Sequence, residues 1–595
     1  MFDSTGKLTY KPNNLLTYSN TFSNAAWAKN NTSVGGTTPG PNGLTGTLIV
    51  PSAASASHSI GQSVTTSSNA IIWAIAKGDG TYSAITLANA PNNYVHFNLL
   101  NGAVSTMGTG WASGGTTSLG SGWYLCWAVQ QTATNFANAY FYPLDAFISN
   151  GNTAPTFTGN GTNGVYIAAT GVSAVTYETT PRTADQVITT SAAYYGPRID
   201  YDPNTLAVKG LLIEEARTNL VIQSGDLTAA AWTKFQTTLS TDGTLFLNGS
   251  SAQKVTPASG AGKTPQVYST SAVTVTASTT YTSSWFVKAG GTNYVAITMS
   301  YAVGNYAAAV FDLSSQSNTA ASQTSSLTAT LNGTKQTYLG GGWFRVSIIS
   351  TSSPTSVFLW ISPALAATGQ SFDTTGNLSG TFAGTETFYA AAPQLELGSF
   401  ATSYIPTAAS SVTRAADVVQ FTGPALTALQ GSAGSALVQM ADVYANTAAG
   451  TVVVLGGNDS TAYPLGLSNA AARTYNGSTA LNAANSMTLT SPFRVGIAWG
   501  ASSRSLVGNG GTVATDAGGN WSGQTAYYLG SYGGASLFPN GHYTSFAIYN
   551  QRLPDATLQA KSVVGASYAA NDNVNPFAPK FAANDNLPVH WRIAL

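Results

Sequence analysis

An internal repeat limits the fold of this chain more than any other feature of its 595 residues. Asn14-Leu15-Leu16-Thr17-Tyr18-Ser19, followed by Ala25-Ala26-Trp27-Ala28-Lys29, returns as Asn219-Leu220-Val221-Ile222-Gln223-Ser224 followed by Ala230-Ala231-Trp232-Thr233-Lys234. By direct count the offset is about 205 residues. Ala76-Lys77-Gly78 then matches Val287-Lys288-Ala289, and Tyr82 to Thr86 matches Tyr294 to Thr298. Leu119-Gly120-Ser121-Gly122-Trp123-Tyr124 matches Leu339-Gly340-Gly341-Gly342-Trp343-Phe344, and Arg182-Thr183-Ala184-Asp185 matches Arg414-Ala415-Ala416-Asp417. The order is kept while the offset grows, as insertions in the second copy would make it. Two homologous domains follow, at 1–190 and 219–422, joined by a linker at 191–218.

Each copy reads as β structure. Ile71 to Ala76, Tyr281 to Val287, Tyr294 to Met299, Trp343 to Ile349 and Val357 to Ile361 are rich in aromatic and β-branched residues, with Gly, Asn, Ser and Thr clusters between them. Many short strands with frequent turns predict sandwiches, and an eight-stranded jelly roll fits a copy of this size. A third domain, 423–568, is expected to hold strands at Ala436–Met440, Thr451–Leu455 and Phe493–Trp499. Its last strand covers Phe546 and Ile548, and Asp555 is expected to cap a helix. The stretch 569–595 carries Ala569-Ala570-Asn571-Asp572-Asn573 and again Ala582-Ala583-Asn584-Asp585-Asn586, broken by Pro576, Pro579 and Pro588. It cannot build a core and reads as a tail that orders on a partner. The expected fold class is all-β, with tandem jelly-roll sandwiches followed by a lectin-like sandwich.

Composition narrows the function. Charged residues make up 7%, with 22 Lys+Arg against 22 Asp+Glu, where an ordinary domain carries about 25%. That excludes an electrostatic footprint for nucleic acid or an anionic membrane. No apolar run approaches the ~20 residues of a spanning helix, so no membrane insertion is expected. The first residues, MFDSTGKLTY, show no basic and apolar leader, so the chain is expected to carry no export address. Cys126 stands alone in an apolar run and reads as a buried small side chain.

The opening runs Asn14–Trp27 and Asn219–Trp232 resemble the first strand of carbohydrate-binding jelly rolls in bacteriophage tail-fibre and head-spike proteins. Pro393-Gln394-Leu395-Glu396-Leu397-Gly398 through Thr407, with Val412 to Asp417, resembles their closing strand, and Gly210 to Leu220 is similar to a segment frequent in such proteins. The first copy departs from the pattern, since its closing strand, Val165 to Tyr177, lacks the Gln-Leu-Glu core. Phe546 to Leu553 is similar to the last strand of the laminin-G and concanavalin-type sandwich. The resemblance implies a virion subunit (tail fibre, spike or head fibre), homotrimeric, that binds host surface polysaccharide and other virion proteins. It is then assembled in the host cytoplasm and released by lysis.

Sugar sites stack pyranose rings on aromatic faces and read hydroxyls with polar side chains. Trp27, Trp232, Trp123 and Trp343 recur in both copies and are expected in the core. The non-repeated aromatics Trp111, Tyr301, Tyr306, Trp360, Trp521 and Tyr532 are the glycan-binding candidates. Asn571, Asp572, Asn573, Asn584, Asp585 and Asn586 are the candidates for virion docking. No catalytic residue, cofactor or metal is expected: a glycosidase needs two opposed carboxylates, and His58, His96, His542 and His590 form no triad or zinc spacing. Calcium through Asp459 or Asp516 is a lesser alternative. Glu214, Glu215, Arg217 and Glu396 are expected at domain or subunit junctions. Two other functions stay open at this point, a capsule-degrading glycoside hydrolase or depolymerase and a purely architectural decoration protein.

Overall fold

A computed structural model describes residues 1–566, apart from 10–12, 67–69, 91–92, 131–135, 175–180, 182–185, 445–450 and 459–461 and the single residues 250, 327, 422, 520 and 522. The fold class is the expected one, all-β, in antiparallel sandwiches. In the first jelly roll one sheet runs Ser113–Gly120, Trp123–Gln130, Ala70–Gly78, Val165–Ala174, Thr45–Pro51, Thr32–Pro39. The facing sheet runs Ala28–Asn30, Ser59–Thr66, Phe136–Leu144, Ala84–Ala90, Asn93–Asn98. The second jelly roll repeats both orders. Thr330–Tyr338, Trp343–Ser352, Thr279–Ala289, Phe388–Leu397, Gln253–Pro257 and Thr237–Ser240 face Trp232–Phe235, Gln266–Ser269, Ser356–Pro363, Tyr294–Ala302 and Asn305–Asp312. An extra edge strand, Ser322–Ser325, extends the latter.

The repeated residues hold the two copies shut in the same way. Asn14 donates through Nδ2 to the Thr170 and Val187 carbonyls, and its Oδ1 accepts from the Leu16 and Val172 amides. Asn219 does the same with the Pro393 and Ile405 carbonyls and the Val221 and Leu395 amides. Each Asn thus fills the backbone vacancies where the entering and leaving segments meet, and a buried amide with all its bonds made is stable. Ser19 and Thr189 exchange backbone and hydroxyl bonds, as Ser224 and Thr407 do. Trp27 donates its indole N–H to the Tyr18 carbonyl at 2.9 Å and Trp232 to the Gln223 carbonyl at 3.0 Å. Both residues sit in the core, as do Trp123 and Trp343. The four repeated tryptophans are therefore scaffold. Cys126 is fully buried, and burial pushes its thiol up. Arg182 to Asp185 lie outside the described residues.

The third sandwich departs from the linear plan. Its larger sheet runs Ile199–Tyr201, Val208–Ile213, Gly541–Tyr549, Gly434–Ala441, Phe493–Gly500, Ser503–Gly508, Ala514–Asp516. The segment expected to be a linker, 191–218, thus supplies two of its strands, with Leu211 paired to Tyr543. Leu211 and Ile213 alternate into this core beside Val438, Ile497 and Phe546. The second jelly roll is inserted into the third sandwich, and its entry Arg217–Asn219 pairs with its exit Val412–Arg414. The first jelly roll is closed likewise by Asn13–Asn14 against Tyr194–Tyr195. Residues 1–9 leave the first domain altogether. Leu8 packs with Phe246, Phe286 and Trp343 of the second jelly roll, and the Phe2 amide donates to Asp200. Asp555 opens the helix Asp555–Lys561 from its first turn, with Pro554 at the cap position. The tail's docking candidates, Asn571, Asp572, Asn573, Asn584, Asp585 and Asn586, lie outside the described residues.

Candidate glycan-binding face

Strand alternation sorts the second jelly roll's side chains. Val357, Leu359 and Ile361 enter the core, which turns Phe358 and Trp360 outward. Trp360 pairs across the sheet with Tyr268 on one side and Thr298 on the other, and Phe358 pairs with Ser300. The Tyr268 and Trp360 rings lie 6.2 Å apart, edge to face, and both are half-buried. Beside them the segment between Pro363 and Gly380 folds down on the same face. Thr298 Oγ1 donates to the Gly376 carbonyl at 3.0 Å and Ser300 Oγ to the Thr375 carbonyl at 2.8 Å. Gly376 is at φ +84, and a Cβ there would stand 2.7 Å from the Tyr306 ring. Asp373 organises this segment by accepting from the Thr375 and Asn377 amides. Burial raises its pKa, but the bonds from Thr375 and Asn377 outweigh it and hold the carboxyl below its ordinary value. The result is an aromatic pair bordered by hydroxyls, an amide and a carboxylate.

The first jelly roll carries the same face in another state. Gly61 pairs with Ala28 and Tyr140, where Tyr268 pairs with Thr233 and Trp360. Gly61 thus holds the place of Tyr268, and Tyr140 that of Trp360. A Cβ on Gly61 would stand 2.6 Å from Tyr140 Cδ1, so the tyrosine ring lies over the bare backbone. Its neighbours Tyr94, Tyr142 and His96 are buried under the turns around Ser105 and Gly108. Burial lowers the His96 pKa to about 4, and its ring is bonded to Thr86 Oγ1 at 2.6 Å. His96 is structural.

Of the six sequence candidates, Trp360 alone offers a half-exposed outward ring; the other five are buried. Trp111 donates its indole N–H to the Asn93 carbonyl and belongs to the first core. Tyr301 belongs to the second core. Tyr306 lies beneath the covering segment, against Phe372. Trp521 donates to the Tyr475 carbonyl and meets Trp499 edge-on at 5.5 Å. Tyr532 packs on Tyr463 at 5.5 Å. Aromatics in loops close over sheets as readily as they display themselves, and sequence alone does not separate the two outcomes. Tyr268 was not singled out; its signal is the alternation in Gln266–Ser269, whose Val267 faces the core.

The charged residues gather where the second jelly roll meets the third sandwich. Arg198 donates to Asp417 at 2.6 Å, to Glu214 at 2.7 Å and to Ser403 Oγ. Arg414 lies 3.3 Å from the same Glu214. Burial would raise the Glu214 carboxyl, yet Arg414 and Arg198 hold it well below its ordinary value. Glu215 pairs with Arg217, whose guanidinium lies over Phe400; Phe400 stacks on Tyr444, and Lys335 lies over the ring of that tyrosine. Gly398, at φ +114, leaves room for this guanidinium, which any Cβ would strike. Glu214, Glu215 and Arg217 thus stand at a domain junction, with Glu396 close by on Thr402. Glu214 and Glu215 are consumed by arginines, and Glu396 by Thr402, rather than facing an open cleft. Arg504 likewise holds both oxygens of Asp516, at 3.0 and 2.5 Å, which removes it as a calcium ligand, and Asp459 lies outside the described residues. Among the described residues no group of His, Cys, Asp and Glu could hold a metal ion, and no helix is long and apolar enough to cross a membrane.

No family model and no curated protein matches the chain. Similar solved structures include the tandem CBM22 domains of Paenibacillus barcinonensis Xyn10C, at 10% identity over 65% of this chain and 98% of that one, with a TM-score of 0.19. Another is Trypanosoma rangeli sialidase in complex with a difluoro-KDN, at 14% identity over 52% of this chain and 61% of that one, TM-score 0.20. The mouse laminin α1 LG4-5 domains match at 8% identity over 58% and 92%, TM-score 0.17. Similarity at this level carries no argument about activity, and what the chain binds must be argued from its own faces.

Proposed function

We propose that this chain is a glycan-binding protein whose second jelly roll holds a sugar chain against Tyr268 and Trp360. The observation that carries the reading is that outward, half-buried aromatic pair beside the polar segment around Asp373 and Asn377. A pyranose ring stacks its C–H face on an indole while neighbouring polar groups take its hydroxyls. The Asp373 carboxylate beside the pair repels acidic sugars, which favours neutral ones at this position. A glycan array tests it: wild type retains a defined set of glycans and Trp360→Ala loses them. An array with no retained glycan overturns the reading in favour of an architectural protein.

In this proposal the chain is a virion subunit of the tail-fibre, spike or head-fibre kind that adsorbs to host surface polysaccharide as a homotrimer. Single sites are weak, and several copies raise avidity. The support is the resemblance of the repeated opening runs and the low charge of a surface made of Ser, Thr, Asn and Gly. The tail 569–595 docks on the particle, so a chain ending near Tyr568 fails to assemble on it. Binding rather than hydrolysis is proposed because the junction carboxylates, buried Glu214 and half-buried Glu215 and Asp417, are taken up by arginines. Sustained release of reducing ends from host polysaccharide would instead establish a depolymerase.

A further inference from the structure

The third sandwich carries a second outward face whose chemistry differs from that of the jelly roll. Its smaller sheet includes Tyr463–Ser468, Ala471–Tyr475 and Ala480–Ser486 in adjacent strands. Ala472 and Leu467 enter the core, so Arg473 and Tyr475 point away from it. Cross-strand register sets Gly466 and Asn482 on either side of Arg473, and Tyr463 beside Tyr475. The Tyr463 ring lies 6.2 Å from that of Tyr475 and 5.5 Å from that of Tyr532. Gly466 permits this: a Cβ there would stand 2.7 Å from Tyr463 Cε2, so the ring leans over bare backbone next to Arg473. Asn482 is exposed.

Arginine accounting makes this face unusual. Among the described arginines, Arg198, Arg217, Arg414, Arg504 and Arg552 are paired with carboxylates. Arg345 and Arg494 are engaged by carbonyl, hydroxyl and amide oxygens. Arg473 has neither an ion pair nor a hydrogen bond, and its Nε is buried without an acceptor. In a chain that neutralises its guanidinium groups so consistently, one left open between tyrosines is a receptor in search of an anion. A half-buried guanidinium with no acceptor is short of hydrogen bonds, and a carboxylate arriving at its terminal nitrogens supplies them. A carboxylate can bind the two terminal nitrogens of a guanidinium end-on, a planar two-bond match.

We propose that this face binds a carboxylate-bearing sugar, a uronic or sialic acid residue, with Arg473 gripping the carboxylate, the half-buried Tyr475, backed by buried Tyr463, bordering the ring and Asn482 taking a hydroxyl. The inference extends the glycan-binding reading to a separate sandwich, and its test uses different residues, so the two fail separately. The full chain is titrated calorimetrically with tetragalacturonate, its methyl ester, a sialic acid tetramer, maltotetraose and dextran sulfate. The expected result is that tetragalacturonate or the sialic acid tetramer binds, with affinity falling as salt rises. The methyl ester and Arg473→Gln each weaken binding at least about tenfold, a loss of the order of one charge-assisted contact. Arg473→Lys retains part of it, and Trp360→Ala leaves it unchanged. Equal binding of the ester, an unchanged Arg473→Gln protein, or dextran sulfate bound as tightly as either sugar acid overturns the proposal. So does the absence of binding to both acidic tetramers. Sedimentation supplies a further outcome: self-association that Arg473→Gln abolishes, without acidic-sugar binding, would assign the face to a second copy of the chain and overturn it too.

Discussion

The two jelly rolls have the same strand order, the same Asn and Ser clasps and the same buried tryptophans, yet they present opposite outer faces. In the second, Tyr268 and Trp360 stand half-open at the border of the covering segment. In the first, Gly61 replaces the tyrosine, Tyr140 lies down over it, and Tyr94, Tyr142 and His96 are roofed. Duplication preserved what closes a sandwich and let the face drift. The repeated residues therefore report on stability and the non-repeated ones on recognition.

Four experiments break or sharpen this comparison. The largest effect is expected from the clasped tryptophans. Trp27→Ala and Trp232→Ala should each destabilise their own jelly roll by about 3–5 kcal/mol, measured by denaturant unfolding. A large loss in one copy and none in the other would show that the scaffolds are not equivalent. Next, Arg198→Ala leaves Glu214 and Asp417 with Arg414 as their remaining cation and should cost about 3 kcal/mol. The loss should fall on the second jelly roll and third sandwich, and hydrogen exchange in the first jelly roll should stay unchanged. Third, Trp360→Ala should weaken neutral-glycan binding about tenfold, ~1.4 kcal/mol, while Tyr140→Ala leaves it unchanged. If Tyr140→Ala is as damaging, the closed face is a site and the contrast fails.

The smallest effect is the pH dependence that His542 and Asp200 give the third sandwich. His542 is buried between Asp200 at 2.7 Å and Asp442 at 3.4 Å, with Lys209 bonded to Asp442. Burial lowers the His542 pKa, but the bonds to Asp200 and Asp442 outweigh it and raise the value above 6.5. Its stabilisation is therefore complete below about pH 6.5 and lost as pH rises through the higher folded value. Burial raises Asp200, yet His542 and neighbouring cations bring it down to about 2 from 3.8. That part is present above pH 3.8 and lost as pH falls toward 2. The stability of the third sandwich should peak between about pH 4 and 6.5, and His542→Asn should flatten the alkaline side. An unchanged alkaline limb in thermal scans would remove His542 from the account.

How much was legible depended on how local the signal was. The strand Phe493–Gly500 and the closing strand Gly541–Tyr549 announce themselves through aromatic and β-branched runs. Val208–Ile213 reads the same way locally, but its partner lies more than three hundred residues downstream. No composition shift marks an insertion of one sandwich into another, so the segment passed for a linker. Trp360 was identified because it is a non-repeated tryptophan, whereas Trp111 and Trp521 share that property and are buried by loops whose paths depend on the whole sheet. Arg473 carried no signal at all. An arginine in a strand is ordinary, and only its lack of an ion pair or hydrogen bond among the described residues distinguishes it.

Residue order alone was enough to show that the chain is an all-β protein, that its first two sandwiches are copies, and that its four repeated tryptophans belong to their cores. Strand propensity, alternation and self-similarity are properties of neighbouring residues, and they survive without knowledge of the fold. Only the tertiary structure decided which aromatics face outward, which charges neutralise one another at the junction, and which arginine is left open. Burial and pairing depend on what other segments bring within a few ångströms, and in a nested chain those segments come from hundreds of residues away.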